Sequence, residues 1–152
     1  MILEYRYGIN LFDAPDMGDH LFIGRDIEIQ QMKEILIPGS ESSTRKVLVP
    51  GGMGGMGGIG KTQLSISYAK RYGHTYSSIF WLNATSEVTL KGSLRNVGRR
   101  ILAPEDMEQL DDDRIWIKVS KWLCKLNNYQ WLLIYDNYDN PEESTLLNII
   151  PR

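Results

Sequence analysis

At 152 residues and a net charge of −2, the chain has the size of one domain and no basic footprint for nucleic acid or an anionic membrane. Hydrophobic residues make up 42% and charged residues 24%, ordinary globular usage that excludes wholesale disorder. The single cysteine, Cys124, cannot close an internal disulfide or build a cysteine zinc site. Apolar runs such as Trp131–Tyr135 are too short to cross a bilayer, and the first residues lack the layout of a secretory signal, so a soluble cytoplasmic protein is expected.

Residues 1–19 show no sustained period and read as a loosely held leader, with turn chemistry at Asp13-Ala-Pro-Asp-Met-Gly-Asp. Leu21-Phe-Ile-Gly-Arg-Asp opens a helix over Asp26–Ile37, in which Ile27, Met32, Ile35 and Leu36 are expected near one face. Pro38-Gly39 ends it, and a polar loop follows. Lys46-Val-Leu-Val-Pro is a short buried strand, then comes a glycine tract, then a helix from Lys61 to Tyr72. Leu64, Ser67/Tyr68 and Arg71/Tyr72 are expected on its related faces, with Gly73 as the stop.

Ser78–Asn83 reads as a second strand. Ser86 caps a helix to about Leu102, with Leu90, Leu94, Val97 and Ile101 at helical spacing and Gly92 and Gly98 weakening its centre. Asp111-Asp-Asp suits the start of another helix, reaching about Asn127, whose apolar face is Ile115, Val119, Trp122, Leu123 and Leu126. Gln130–Asp136 is a third strand and Glu142–Ile149 a last short helix. Strands alternating with helices give an α/β layer architecture with a largely parallel sheet.

The glycine is unevenly placed: seven of the 14 fall between Gly51 and Gly60. Gly55-Met-Gly-Gly-Ile-Gly60-Lys61-Thr62 fits G-x-x-x-x-G-K-[ST], the loop that cradles phosphates. A phosphate chain needs several inward backbone N–H groups, hence glycine, and the positive end of the following helix adds to them. Lys61 would reach the β/γ-phosphates, and the Thr62 hydroxyl would ligate Mg²⁺. The bland alternative is a flexible Gly-Gly-Met linker, against which stand the strand before the tract and the helix after it.

The second half of such a site is an acid ending a buried strand, supplied by Asp136 in Trp131-Leu-Leu-Ile-Tyr-Asp-Asn. Its alternative is a turn-forming aspartate, since Asn137, Asp139, Asn140 and Pro141 all favour turns. No Asn-Lys-x-Asp guanine reader occurs. Asn137 follows the acid where many ATPases place a glutamate. It cannot act as a base, which leaves Asp139 as the nearby carboxylate and argues against fast turnover.

Together these residues resemble the NB-ARC nucleotide-binding domain of the STAND class of P-loop NTPases, closest in wording to fungal NLR-like proteins. Phe22-Ile-Gly-Arg-Asp-Ile-Glu resembles the family's F-[IV]-G-R-[ED]-x-E block, and Gly55–Thr62 its G-M-G-G-I-G-K-T. Phe80-Trp-Leu-Asn-Ala and Leu133-Ile-Tyr-Asp-Asn are similar to its second strand and Walker B block. The resemblance spans about residues 20–152 and implies a three-layer α/β/α P-loop fold with a parallel sheet. That fold would be incomplete: the chain stops before the family's sensor strand and later helical subdomains.

The resemblance further implies a switch that rests with ADP, exchanges it for ATP, oligomerises and resets by slow hydrolysis. Carried over, Ile23 and Arg25 would border the base and ribose, although Phe22 and Ile23 equally suit ordinary core packing. Gly55, Gly57, Gly58, Ile59 and Gly60 would wrap the phosphates, Lys61, Thr62 and Gln63 would continue the contact, and Thr62 and Asp136 would hold the metal.

Two departures from the family carry expectations. The Gly-Gly-Met unit is doubled after Pro50, so Gly51–Gly54 are surplus slack whose ordering costs entropy and weakens nucleotide affinity. The family's sensor strand lies between the strands of the phosphate loop and the acid. Without it, a gap of ~10 Å opens or those two strands pair directly. Either leaves exposed edges, which predicts a marginally stable isolated chain.

Other residues carry blander expectations. His20 and His74 lack ligand spacing, Cys124 reads as packed, Trp116, Trp122 and Trp131 read as core, and Arg95, Arg99 and Arg100 as a solvated basic face. The leading functional expectation is an ATP/ADP-binding module with at most slow Mg²⁺-dependent hydrolysis. Its expected partners are the nucleotide and either a second copy or related NLR-like proteins, with no nucleic acid or membrane. The alternative is a non-catalytic truncated interaction protein or gene fragment acting through full-length relatives. A small-molecule kinase lacks any recognisable acceptor site.

Overall fold

A computed structural model describes residues 14, 24–37, 46–48, 59–125 and 130–138, without the side chains of 46–48 and 59. In chain order the elements are α1 (Asp26–Leu36), β1 (Lys46–Leu48), α2 (Ile59–Tyr72), a 3₁₀ turn (Gly73–Thr75), β2 (Ser78–Asn83), α3 (Glu87–Ile101), α4 (Pro104–Gln109), α5 (Asp112–Leu123) and β3 (Trp131–Asp136). The helix expected at Glu142–Ile149 lies outside the described residues.

Local chemistry accounts for most boundaries. Ser86 starts α3 with a reciprocal capping box: its Oγ accepts from Thr89 N–H, while Thr89 Oγ1 accepts from Ser86 N–H. Asp111 caps α5 by accepting from Arg114 N–H. Pro104 opens α4 from its first turn, where a missing N–H costs nothing.

The three strands form a parallel sheet in the order β1-β3-β2. β3 is central, and its register runs Ser78↔Trp131 to Asn83↔Asp136 on one side and Lys46↔Leu132 to Leu48↔Ile134 on the other. Of the two arrangements expected for the strands of the glycine tract and the acid, direct pairing is the one found.

The strand alternation splits the core into two layers. Phe80, Leu82, Trp131, Leu133 and Tyr135 face α3 and α5, where Leu90, Leu94, Val97, Ile115, Trp116, Val119 and Leu123 complete the cluster. Ile79, Trp81, Leu132 and Ile134 face the other way, against Ile29 and Leu36 of α1 and Ile66, Tyr68 and Ala69 of α2. Helices thus cover both faces of a short parallel sheet, an α/β/α layer arrangement. Trp116 and Trp131 are core residues as expected, Trp122 is partly buried against the same cluster, and Trp131 Nε1 donates to Leu123 O at 3.1 Å, tying β3 to the end of α5.

Several faces differ from the sequence reading. On α1, Ile27 and Ile35 are 74% and 70% exposed, whereas Ile29 and Leu36 are buried. At about 100° per residue, Ile29 and Leu36 nearly coincide around the helix while Ile27 and Ile35 fall on its far side. On α2 the buried residues include the small Thr62, Ser65 and Ala69 beside Ile66 and Tyr68, and Leu64 is only half-buried.

Arg95 is not part of a solvated patch. Its Nε pairs with Asp112 Oδ1 at 2.7 Å, and its Nη groups reach Met107 O at 3.4 Å and Leu110 O at 3.3 Å, clamping α3 to α4 and α5. Cys124 is exposed, because α5 ends at Leu123 and Cys124 caps it beyond the last buried turn. Gly98 has a packing reason: a Cβ there would sit 3.0 Å from Ile115 Cγ2 and 3.1 Å from Met107 Sδ.

Candidate functional site at the carboxyl edge of the sheet

In a parallel sheet all strands end on the same side, so the residues that close β2 and β3 are neighbours by construction. Ligands in open α/β folds bind along this edge. β3 ends at Asp136, which follows Leu132 and Ile134 in alternation and therefore faces the α1/α2 layer. α2 begins with Ile59-Gly-Lys-Thr, and its sheet-facing stripe of Thr62, Ser65, Ile66 and Ala69 turns Thr62 inward.

The two sides meet. Thr62 Oγ1 donates to Asp136 Oδ1 at 2.8 Å across 74 positions of sequence, and both residues are buried. The other carboxyl oxygen, Oδ2, is approached by Asn137 Nδ2 at 3.5 Å.

The backbone reverses directly after this acid. Asn137 has φ 59°, in the left-handed region that asparagine tolerates better than most residues. Tyr135, on the opposite face of β3, has its phenol pushed up to about 12 by burial and secondarily by Tyr138.

The start of α2 is electropositive. No acidic residue lies in its first turn, which instead carries half-buried Lys61, whereas α1, α3, α4 and α5 all begin with acidic residues. Arg25, the residue preceding α1, lays its guanidinium against Gly60: Nη2 is 3.3 Å from where a Cβ would stand. The structure therefore brings Arg25 to the first turn of α2, beside Lys61. Gln63 is half-buried in the same turn.

Of the residues expected in a nucleotide site, Arg25, Gly60, Lys61, Thr62 and Asp136 converge on this edge. Ile23, Gly55, Gly57, Gly58 and Asp139 lie outside the described residues, as do His20 and the side chain of Ile59. His74 is exposed in the 3₁₀ turn.

One residue of this edge received no role from the sequence. Asn83 ends β2, pairs in register with Asp136 and follows Ile79 and Trp81 onto the same sheet face. Strand alternation within Ser78–Asn83 carries that signal, but only knowledge of the pairing gives it meaning.

The donor set fits magnesium. Among the described residues no three His, Cys, Asp or Glu side chains cluster as a metal cage. Thr62 and Asp136 offer one hydroxyl and one carboxyl group, side by side where β3 ends. That is the sparse all-oxygen set suited to an Mg²⁺ whose remaining ligands are water and phosphate.

No helix among the described residues is long and apolar enough to cross a membrane. No protein-family model, curated protein or solved structure matches the chain.

Proposed function

We propose that the protein binds ATP or ADP with Mg²⁺ at the carboxyl edge of the sheet, as the nucleotide module of a STAND-type switch of the NB-ARC kind. The observation that carries this reading is the buried Thr62–Asp136 hydrogen bond, which joins the last residue of the G-x-x-x-x-G-K-T tract to the acid ending β3. The two residues were singled out for separate halves of one chemistry, and chance burial does not require them to touch.

In this reading the N–H groups opening α2 donate to phosphate oxygens, and Lys61 supplies a point charge to the β/γ-phosphates. Arg25, lying on Gly60, adds a second positive group near the phosphate chain, in place of the base-and-ribose contact implied by the family resemblance. Thr62 and Asp136 orient the metal, which when bound neutralises charge developing on the phosphate oxygens. Hydrolysis requires water to attack the terminal phosphorus and expel ADP. Asn137 offers that water a hydrogen bond but no base, so turnover is at most slow.

Titration calorimetry and thermal shift test the reading. ADP with Mg²⁺ is expected to bind and stabilise the wild type and to leave Lys61→Ala unchanged; a wild type that binds neither ADP nor ATP refutes it. A second reading, a non-catalytic interaction protein acting through a second copy or related NLR-like proteins, is favoured by the exposed Ile27 and Ile35 on α1. Self-association that persists without nucleotide and is lost in Ile27→Ser/Ile35→Ser would support it.

A further inference from the structure

The carboxyl edge holds one polar side chain that the proposed chemistry leaves unused. Asn83 stands beside Asp136 in the register of β2 and β3, about 4.8 Å away across neighbouring strands, on the same sheet face. In the order β1-β3-β2 it lies one strand further from the glycine tract than Asp136. A phosphate chain that sits on the first turn of α2 and passes the Thr62–Asp136 pair reaches the end of β2 next.

The amide of Asn83 is oriented. Its Oδ1 accepts from Thr85 N–H at 3.1 Å and from Thr85 Oγ1 at 2.6 Å. A backbone N–H can only donate, so the oxygen of the amide must face Thr85 and the NH₂ is the other arm. Ser93 Oγ accepts from Asn83 N–H at 3.0 Å, and Ala84 N–H donates to Asp136 O at 2.8 Å, which fixes the backbone on both sides. Among the described residues Nδ2 donates to none. Asn83 is only partly buried, at the carboxyl end of β2.

We propose that Asn83 is the group that reads the third phosphate: its Nδ2–H donates to a terminal phosphoryl oxygen of a nucleoside triphosphate, and a diphosphate does not reach it. The inference rests on the nucleotide-binding reading and assigns within it the residue that separates the triphosphate from the diphosphate state. Closing the turn to Thr85 is the other task of Asn83, and the two tasks use opposite ends of the amide.

The test separates them. Asn83→Ser keeps a short acceptor for the turn and removes the NH₂. Calorimetry with Mg²⁺ and a slowly hydrolysed ATP analogue is expected to show affinity reduced roughly 10- to 100-fold, the range for one hydrogen bond to a charged oxygen, with ADP affinity unchanged. An equal change for both nucleotides, or no change for either, overturns the proposal.

Asn83→Asp retains the acceptor for both Thr85 donors and serves if the serine variant fails to fold. A loss confined to the triphosphate is expected, and an unchanged triphosphate-to-diphosphate ratio overturns the assignment. A wild type that binds ADP but does not distinguish the variants condemns only the role of Asn83. A wild type that binds neither nucleotide removes the underlying reading as well.

Discussion

Thr62 and Asp136 share a 2.8 Å hydrogen bond in a buried position, although 74 residues separate them and they belong to different layers of the fold. The bond closes the interface between the first turn of α2 and the end of β3. Thr62→Val retains the shape of the side chain and leaves Asp136 Oδ1 without its donor. Stability is expected to fall by about 1–3 kcal/mol in urea titration. Thr62→Ser, which keeps the hydroxyl, is expected to recover most of it. If valine costs no more than serine, the bond does not hold the site together.

The two glycines within α3 differ in the room a side chain would find. Gly92 is exposed and a Cβ there meets nothing within 4 Å, so Gly92→Ala gains helix propensity of about 0.5–1 kcal/mol. At Gly98 the same gain is opposed by Ile115 Cγ2 and Met107 Sδ. Gly98→Val, which adds two methyl groups to that contact, is expected to cost about 1–3 kcal/mol by overpacking. Denaturant midpoints of the variants check both signs.

Three buried or half-buried phenols have raised pKa values, and they set an alkaline limit. Burial is the main cause for Tyr68, Tyr76 and Tyr135; Tyr68 is further raised by its hydrogen bond with Tyr76, at 2.6 Å between the two hydroxyls. Tyr135 is pushed from 10.0 to about 12. The folded state holds these protons after the unfolded chain has released them. The stabilisation is therefore complete below pH ~10 and is lost as pH rises towards ~12, by roughly 2–3 kcal/mol for Tyr135. Melting temperature followed across that window should fall, and Tyr135→Phe should flatten the fall.

The extra Gly-Gly-Met unit, outside the described residues, gives a prediction that depends on nucleotide binding. Deleting Gly51-Gly52-Met53 removes chain that must be ordered around the phosphates. ADP affinity is expected to rise by about 3- to 10-fold in calorimetry. An unchanged affinity means the added glycines cost nothing at the site.

Much of the local structure was legible from neighbouring residues alone. Ser86 with Thr89, Asp111 ahead of α5, and the apolar runs at Ser78–Asn83 and Trp131–Asp136 define elements through contacts within a few positions, where chain entropy is cheap to overcome. The G-x-x-x-x-G-K-T pattern was legible for the same reason, because such a loop is a local backbone device. The apolar face of α1 was misjudged because five isoleucine and leucine residues in Asp26–Ile37 surround the helix, and composition does not say which of them meets α2 and the sheet.

Tertiary structure decided what depends on distant partners. β1 lies against β3, Arg95 bridges α3 to the α4–α5 corner, and Asn83 stands next to Asp136. None of these has a local signature, since parallel strands are joined only through long crossovers and their order is set by how both faces of the sheet are covered. Sequence by itself marked Thr62 and Asp136 as two halves of one proposed site. Packing of α2 against the sheet determined that Thr62 and Asp136 face each other, because burying its small-residue stripe turns Thr62 inward and strand alternation turns Asp136 to meet it.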